Sequence, residues 1–201
     1  QTSYLTGAYD KNWNADMEAV DASTYVSVSV AVAYTTPFVG AMLADSLLGD
    51  YWSLLVGATC FYLPGLLLIA LTTVPGLLGN VFNEKALAVG LLCLWPVGTG
   101  IVKSVVNVFG AKQFHPILQA SLIEAYYVKF YMCINIGALV GGVLVPLLAQ
   151  TNVTIAYCLP VAMLTLGVVA FLMGSRRYIK HMPKGKVDLP CCWPAMKCLP
   201  G

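Results

Sequence analysis

Charge is what this sequence has least of. Only 10% of its 201 residues are Asp, Glu, Lys or Arg, and 59% are hydrophobic, whereas soluble domains carry roughly one quarter charged residues. An ordinary soluble domain is excluded, and the chain reads as a membrane protein. Histidine is scarce too. His115 and His181 fall in loops without a clustered nucleophile or metal partner, so neither a catalytic centre nor a metal or other cofactor site is expected. The net charge of +2 is too small for a nucleic-acid face, because the basic residues collect after the last apolar run and do not spread over one surface. The seven cysteines are not expected to form a disulfide framework. Cys60, Cys93, Cys133 and Cys158 sit inside apolar runs, where cysteine behaves as a small hydrophobe. Cys191, Cys192 and Cys198 lie beyond those runs, and the adjacent Cys191-Cys192 lacks the spacing of zinc ligands. The sequence opens on Gln1 with no charged leader, and the expectation is a piece cut from a longer chain.

What is abundant is uncharged apolar length. Residues 1–21 hold Asp10, Lys11, Asp16, Glu18 and Asp21 and read as a wet, acidic approach to the membrane, with Gln1 to Thr6 as the end of an earlier helix. From Ala22 to Ala44 no residue is charged, and 23 residues at 1.5 Å each exceed the roughly 30 Å hydrocarbon core. Four more runs follow, giving expected spans at about 22–44, 52–74, 86–109, 127–149 and 155–175. The stretch from Gly110 to Glu124 is expected to be a loop. Each span carries one proline: Pro37, Pro64, Pro96, Pro146 and Pro160. Small residues at Gly40 and Ala44, and at Gly137 and Gly141, are expected to let helices approach closely. The tail 176–201 begins with Arg176, Arg177 and Lys180, an excess of positive charge that assigns it to the cytoplasm. Counting back through five spans puts the turn at Asp45 to Asp50 and the loop at Lys112 inside, and Glu84-Lys85 outside. A lone cysteine at Cys191 should then be protected from an impermeant thiol reagent in intact cells, while one placed at Glu84 should react; the reverse pattern would overturn the orientation. Asn152-Val153-Thr154 is a formal glycosylation sequon, discounted because its loop would lie against the membrane.

One residue breaks the apolar pattern. Lys103 follows seventeen residues, Ala86 to Val102, without a charged side chain. A lysine within a hydrocarbon-length run is costly and tends to face a bundle interior or a wet cavity, which makes it the first candidate functional residue. The competing reading is a lysine near its helix end that snorkels to the headgroups.

Three blocks then line up with a known family. Thr36-Pro37-Phe38-Val39-Gly40-Ala41-Met42-Leu43-Ala44-Asp45-Ser46-Leu47-Leu48-Gly49-Asp50-Tyr51 resembles the second-helix signature of proton-dependent oligopeptide transporters of the major facilitator superfamily. Gly98-Thr99-Gly100-Ile101-Val102-Lys103, continuing to Phe109-Gly110-Ala111-Lys112-Gln113-Phe114, is similar to the fourth-helix block. Phe130-Tyr131-Met132-Cys133-Ile134-Asn135-Ile136-Gly137-Ala138-Leu139 is similar to the fifth. The resemblance implies an all-α integral membrane fold in which the spans are helices two to six of twelve. It is a partial N-terminal six-helix bundle, with the first helix and its E-x-x-E-R motif missing along with the C-terminal bundle.

The resemblance also implies roles. Lys103, Tyr34, Tyr131 and Asn135 would contact substrate: a peptide is a zwitterion with a backbone of donors and acceptors, so its cavity needs a cation, a neutral amide and aromatic hydroxyls. Asp45 would be a gate residue. The implied activity is proton-coupled symport of di- or tripeptides or oligopeptides at a plasma or endolysosomal membrane, with protons as the coupling ion. The partners would be the peptide, the lipid bilayer, and the missing first helix and second bundle. The alternatives are a nitrate or small-anion carrier of the same family, and a truncated, non-transporting membrane interaction protein. Departures are visible. Asp50 stands where the family has a basic residue, Lys112 where it has an acidic one, Ser104 where it has proline, and Ser27 where animal peptide carriers have histidine. No carboxylate lies in the middle of any span.

Overall fold

The computed structural model describes residues 2–8, 13, 15, 17–77 and 82–180. The expectations placed on Asp10, Lys11, Asp16 and His181, on Cys191, Cys192 and Cys198, and on the rest of the tail 181–201 lie outside the described residues. The described residues contain helices and no strands. They are α1 (Thr2–Leu5), α2 (Ala19–Leu43), α3 (Gly49–Val56), α4 (Leu63–Thr72), α5 (Glu84–Ala88), α6 (Trp95–Ala111), α7 (Ala120–Thr151) and α8 (Val153–Gly174). Wider π-helical stretches at Ala44–Leu48, Gly57–Tyr62 and Val89–Leu94 join several of them without a break.

Proline explains two of the π stretches. Gly57–Tyr62 ends two residues before Pro64, and Val89–Leu94 ends two residues before Pro96. A proline within a helix supplies no N–H and its ring crowds the carbonyl four residues back, so the helix widens there to relieve both. At Pro37 the preceding Thr36 hydroxyl instead donates to the Val32 carbonyl at 2.7 Å. Caps set two helix starts: Asn83 accepts from Ala86 N at 3.1 Å and Asn152 from Ile155 N at 3.2 Å, so the sequon asparagine serves as a cap.

Four continuous helical stretches are long and apolar enough to cross a bilayer: Ala19–Thr72, Glu84–Ala111, Ala120–Thr151 and Val153–Gly174. The first has 54 residues, about 80 Å if straight, far more than one crossing needs. It does not stay straight. Gly49 has φ 75° and ψ 162°, a conformation open in practice only to glycine, and there the chain turns back. The neighbours on α5 and α6 show the reversal. Ala22 clusters with Leu87 and Leu91, Thr36 abuts Gly100, and Gly40 abuts Ile101 and Ser104, so α2 runs parallel to the α5–α6 stretch. Gly57 abuts Ile101, Tyr62 abuts Gly98, Gly65 abuts Trp95 and Ile69 abuts Gly90, so the segment after Gly49 runs antiparallel to it.

These glycines build the middle of the bundle. A methyl group at Gly65, Gly98 or Gly100 would overlap the facing helix, so the helices meet nearly backbone to backbone. Apolar clusters close the two ends. One gathers Tyr4, Leu5, Ala15, Ala22, Ile69, Leu87 and Leu91; the other gathers Ala44, Tyr51, Leu54, Val105 and Phe109, with Phe171 and Tyr178 against it.

Several expectations need correction. The N-terminal approach is not simply wet: Tyr4, Leu5 and Ala15 are buried, and the Trp13 indole donates to the Thr72 carbonyl at 2.9 Å, because a carbonyl at the end of α4 takes the indole proton. The expected loop 110–124 is shorter, with α7 starting at Ala120. His115 and Gln119 tie the loop off first: His115 Nδ1 accepts from Leu118 N, and Gln119 Oε1 accepts from His115 N at 2.9 Å. A methyl group added to Gly137 or Gly141 would meet nothing within 4 Å, so this pair packs against no described helix, while Gly40 does the close packing expected of it. Helices α7 and α8 are exposed along most of their length.

Candidate functional site

Lys103 is at the ninth of the seventeen positions of α6, eight residues before the helix ends at Ala111. That is about 12 Å of helix, farther than a four-carbon stem reaches to bring its ammonium to the helix end. The lysine is therefore a mid-helix charge. It is not buried: its side chain lies exposed on the outer side of the α2–α6 contact, because no described helix lies over that face. The nearest partner is aromatic. Lys103 Nζ sits 5.7 Å from the centroid of the Tyr34 ring, a cation–π contact, and Tyr34 is 77% exposed. No ion pair involves Lys103 among the described residues. Ser27, seven positions before Tyr34 and so on the same face of α2, is also exposed.

The α7 candidates form a second pair. Tyr131 is 53% exposed, and Asn135 Nδ2 donates to the Tyr131 carbonyl at 2.8 Å, so the amide currently binds its own helix. Its Oδ1 remains available to accept. The structure brings Tyr34 to Lys103 and Tyr131 to Asn135, but no hydrogen bond joins the two pairs among the described residues. Thr99, four residues before Lys103, is buried. Four residues advance a helix by 400°, and the remaining 40° turns Thr99 toward the segment that follows Gly49. Asp45 is exposed and lies in the π-helical stretch just before the Gly49 reversal.

The strongest polar contact was not expected from the sequence. Lys112 Nζ donates to Asp50 Oδ2 at 2.6 Å. The carboxylate side chain is 8% exposed and the lysine 36%. Around this pair the ends of α3, α6 and α8 are laced together. Tyr51 Oη donates to Ser175 Oγ at 2.8 Å, Lys180 Nζ lies 4.2 Å from the Tyr51 ring centroid, and Gln113 exchanges two hydrogen bonds with the backbone of Ile179. The signal for the pair was present in the sequence as two departures of opposite sign, 62 residues apart.

Residues 51–190 match the family profile PTR2, described as the POT family. The chain belongs to the POT family. Its sequence is 31% identical over 198 residues to solute carrier family 15 member 2 of Rattus norvegicus, covering 94% of this chain and 26% of that protein. It is 29% identical over 164 residues to peptide transporter family 1 of Drosophila melanogaster, covering 78% of this chain and 22% of that one. The chain thus spans about a quarter of the length of the curated relatives it matches. Among solved structures it is similar to a proton dependent oligopeptide family transporter, with 26% identity, a TM-score of 0.70, and coverage of 81% of this chain and 33% of that one. It also shares the fold of a peptide transporter POT solved with sulfate, at a TM-score of 0.78 and 21% identity, over 97% of this chain and 38% of that one. The POT family is one of transporters, and this member is a multi-pass, all-helical membrane protein with part of the fold found in those structures.

Proposed function

We propose that this chain is the part of a proton-coupled peptide symporter that carries the cation for the substrate. The observation that carries the reading is Lys103: a mid-helix ammonium in an otherwise uncharged run, held over Tyr34 and facing outward with no acidic partner among the described residues. A charge left in that position fits an anionic group brought by the substrate, and the carboxylate end of a peptide is such a group. Tyr131 and Asn135 supply a hydroxyl and an amide for the peptide backbone. Asp45, exposed beside the Gly49 reversal, is free to take a cation from a second bundle and so act at the gate. Five crossings follow from treating the segments before and after Gly49 separately, with the Lys112 and Arg176 end in the cytoplasm. Transport by rocking bundles needs a second bundle and a first helix, with the proton-accepting carboxylate among them, since no span here holds one at its middle. Protons are the only coupling agent this reading requires, it needs no cofactor, and among the described residues no group is arranged for enzymatic catalysis.

A second reading, a carrier of nitrate or a similar small anion, is favoured by the same lone cation. The two separate in a chimera in which this chain replaces the aligned quarter of the rat relative. Uptake of a labelled dipeptide should be suppressed by unlabelled dipeptide and unaffected by excess nitrate. Suppression by nitrate, with none by dipeptide, would transfer the assignment to the anion. The 201 residues alone are expected to give no uptake above empty liposomes.

A further inference from the structure

A groove of about 480 Å³ opens between the end of α6 and the start of α7. Its walls are Phe114, Leu122, Ala125, Tyr126, Phe130 and Cys133, and Lys129 stands at it as the one charged group in the lining. The walls are fixed by packing. Tyr126 stacks on Phe130 with centroids 5.6 Å apart and meets Phe114 at 6.0 Å, and its hydroxyl occupies the space that a side chain on Gly110 would fill. Along α7 the groove follows positions 122, 126, 129 and 133, at helical spacing. Tyr131 and Asn135 are two residues removed from Lys129 and Cys133, about 200° around the axis, so the groove faces away from the proposed substrate residues.

The charge at this end decides what suits it. Lys129 and the Lys112, Arg176, Arg177 and Lys180 group belong to the same end of the molecule, since Phe114 beside the groove adjoins the Gln113–Ile179 and Lys112–Asp50 contacts. Lys129 has no ion-pair partner among the described residues; Glu124, five positions earlier, lies on a different side of the helix. An apolar trough with an unpaired ammonium at headgroup depth suits one acyl chain below and a phosphate above, the arrangement by which basic interhelical pockets take anionic lipids.

We propose that this groove binds one anionic phospholipid, with an acyl chain against Phe114, Phe130 and Cys133 and the phosphate on Lys129. The test uses the whole chain in detergent micelles, titrated with phosphatidylglycerol or with phosphatidylcholine of the same acyl chains, and counts retained lipids by native mass spectrometry. One phosphatidylglycerol should be retained in preference to phosphatidylcholine. Lys129→Gln should weaken that retention about fivefold, the effect of one interfacial lysine, and Lys129→Arg should restore it. Ala125→Phe, which fills the groove without changing charge, should abolish it, and Lys85→Gln at the opposite end should leave it unchanged. Equal retention of the two lipids, retention indifferent to Lys129→Gln, or an equal loss in Lys85→Gln would each overturn the proposal.

Discussion

Replacing Lys112 with alanine is expected to destabilise the chain by about 2–4 kcal/mol, because it leaves the Asp50 carboxylate buried without its ammonium. The value is set below the roughly 3–5 kcal/mol of fully buried pairs, since Lys112 is 36% exposed and the pair is open to water on one side. Asp50→Lys should do similar damage by placing two cations at the same point. The exchanged pair, Asp50→Lys with Lys112→Asp, should recover most of the loss, because it again sets one ammonium against one carboxylate at this contact. Denaturant or thermal unfolding of the four proteins in detergent gives the coupling directly. Additive losses in the double variant would mean the two departures are unrelated and their 2.6 Å contact incidental. The damage should show in the packing of α3, α6 and α8, because Asp50 lies next to Tyr51, and Lys112 next to Gln113, the residues that lace those ends together.

The second large effect concerns transport. In the chimeric carrier, Lys103→Ala is expected to lower concentrative dipeptide uptake by about 30-fold or more, the order expected when the charge that pairs with a bound ion is lost at about 2–5 kcal/mol. The protein should remain folded and in the membrane, because Lys103 is exposed in this chain and forms no ion pair among the described residues. Tyr34→Phe keeps the ring under the ammonium and should cost far less than Tyr34→Ala, if the 5.7 Å contact holds the lysine in place. Unchanged proton-driven uptake in the Lys103→Ala carrier would remove Lys103 from the site.

Much of the fold was legible because lipid leaves few choices. An uncharged run such as Ala22 to Ala44 must satisfy its backbone internally, and a helix does so without regard to distant partners. Gly49 was legible as part of a turn for a local reason too, since only glycine suits its backbone conformation. What escaped depends on contacts between distant segments. Trp13 reads as wet until the Thr72 carbonyl, 59 residues away, receives its indole proton. Asp50 and Lys112 read as two separate oddities until the α3 and α6 ends meet. The start of α7 reads late because Glu124 and Lys129 sit among residues that look like loop, whereas a helix leaving the membrane carries such charges on its exposed face. Of the candidate site, the residue types were legible and the geometry only partly: Tyr34 and Lys103 do meet, while Tyr131 and Asn135 remain a separate pair on α7. Sequence position alone leaves Lys103 between a bundle interior, a wet cavity and the headgroups; in the structure it is exposed on the outer side of the α2–α6 contact.

The most direct measurement is dipeptide accumulation by liposomes holding the chimeric carrier, with and without an inward proton gradient. Accumulation above the external concentration when the outside is acidic, collapsing to simple equilibration when a protonophore is added and vanishing in the Lys103→Ala form, is the predicted result. Accumulation indifferent to the gradient, or gradient-driven accumulation that survives the loss of Lys103, would contradict it.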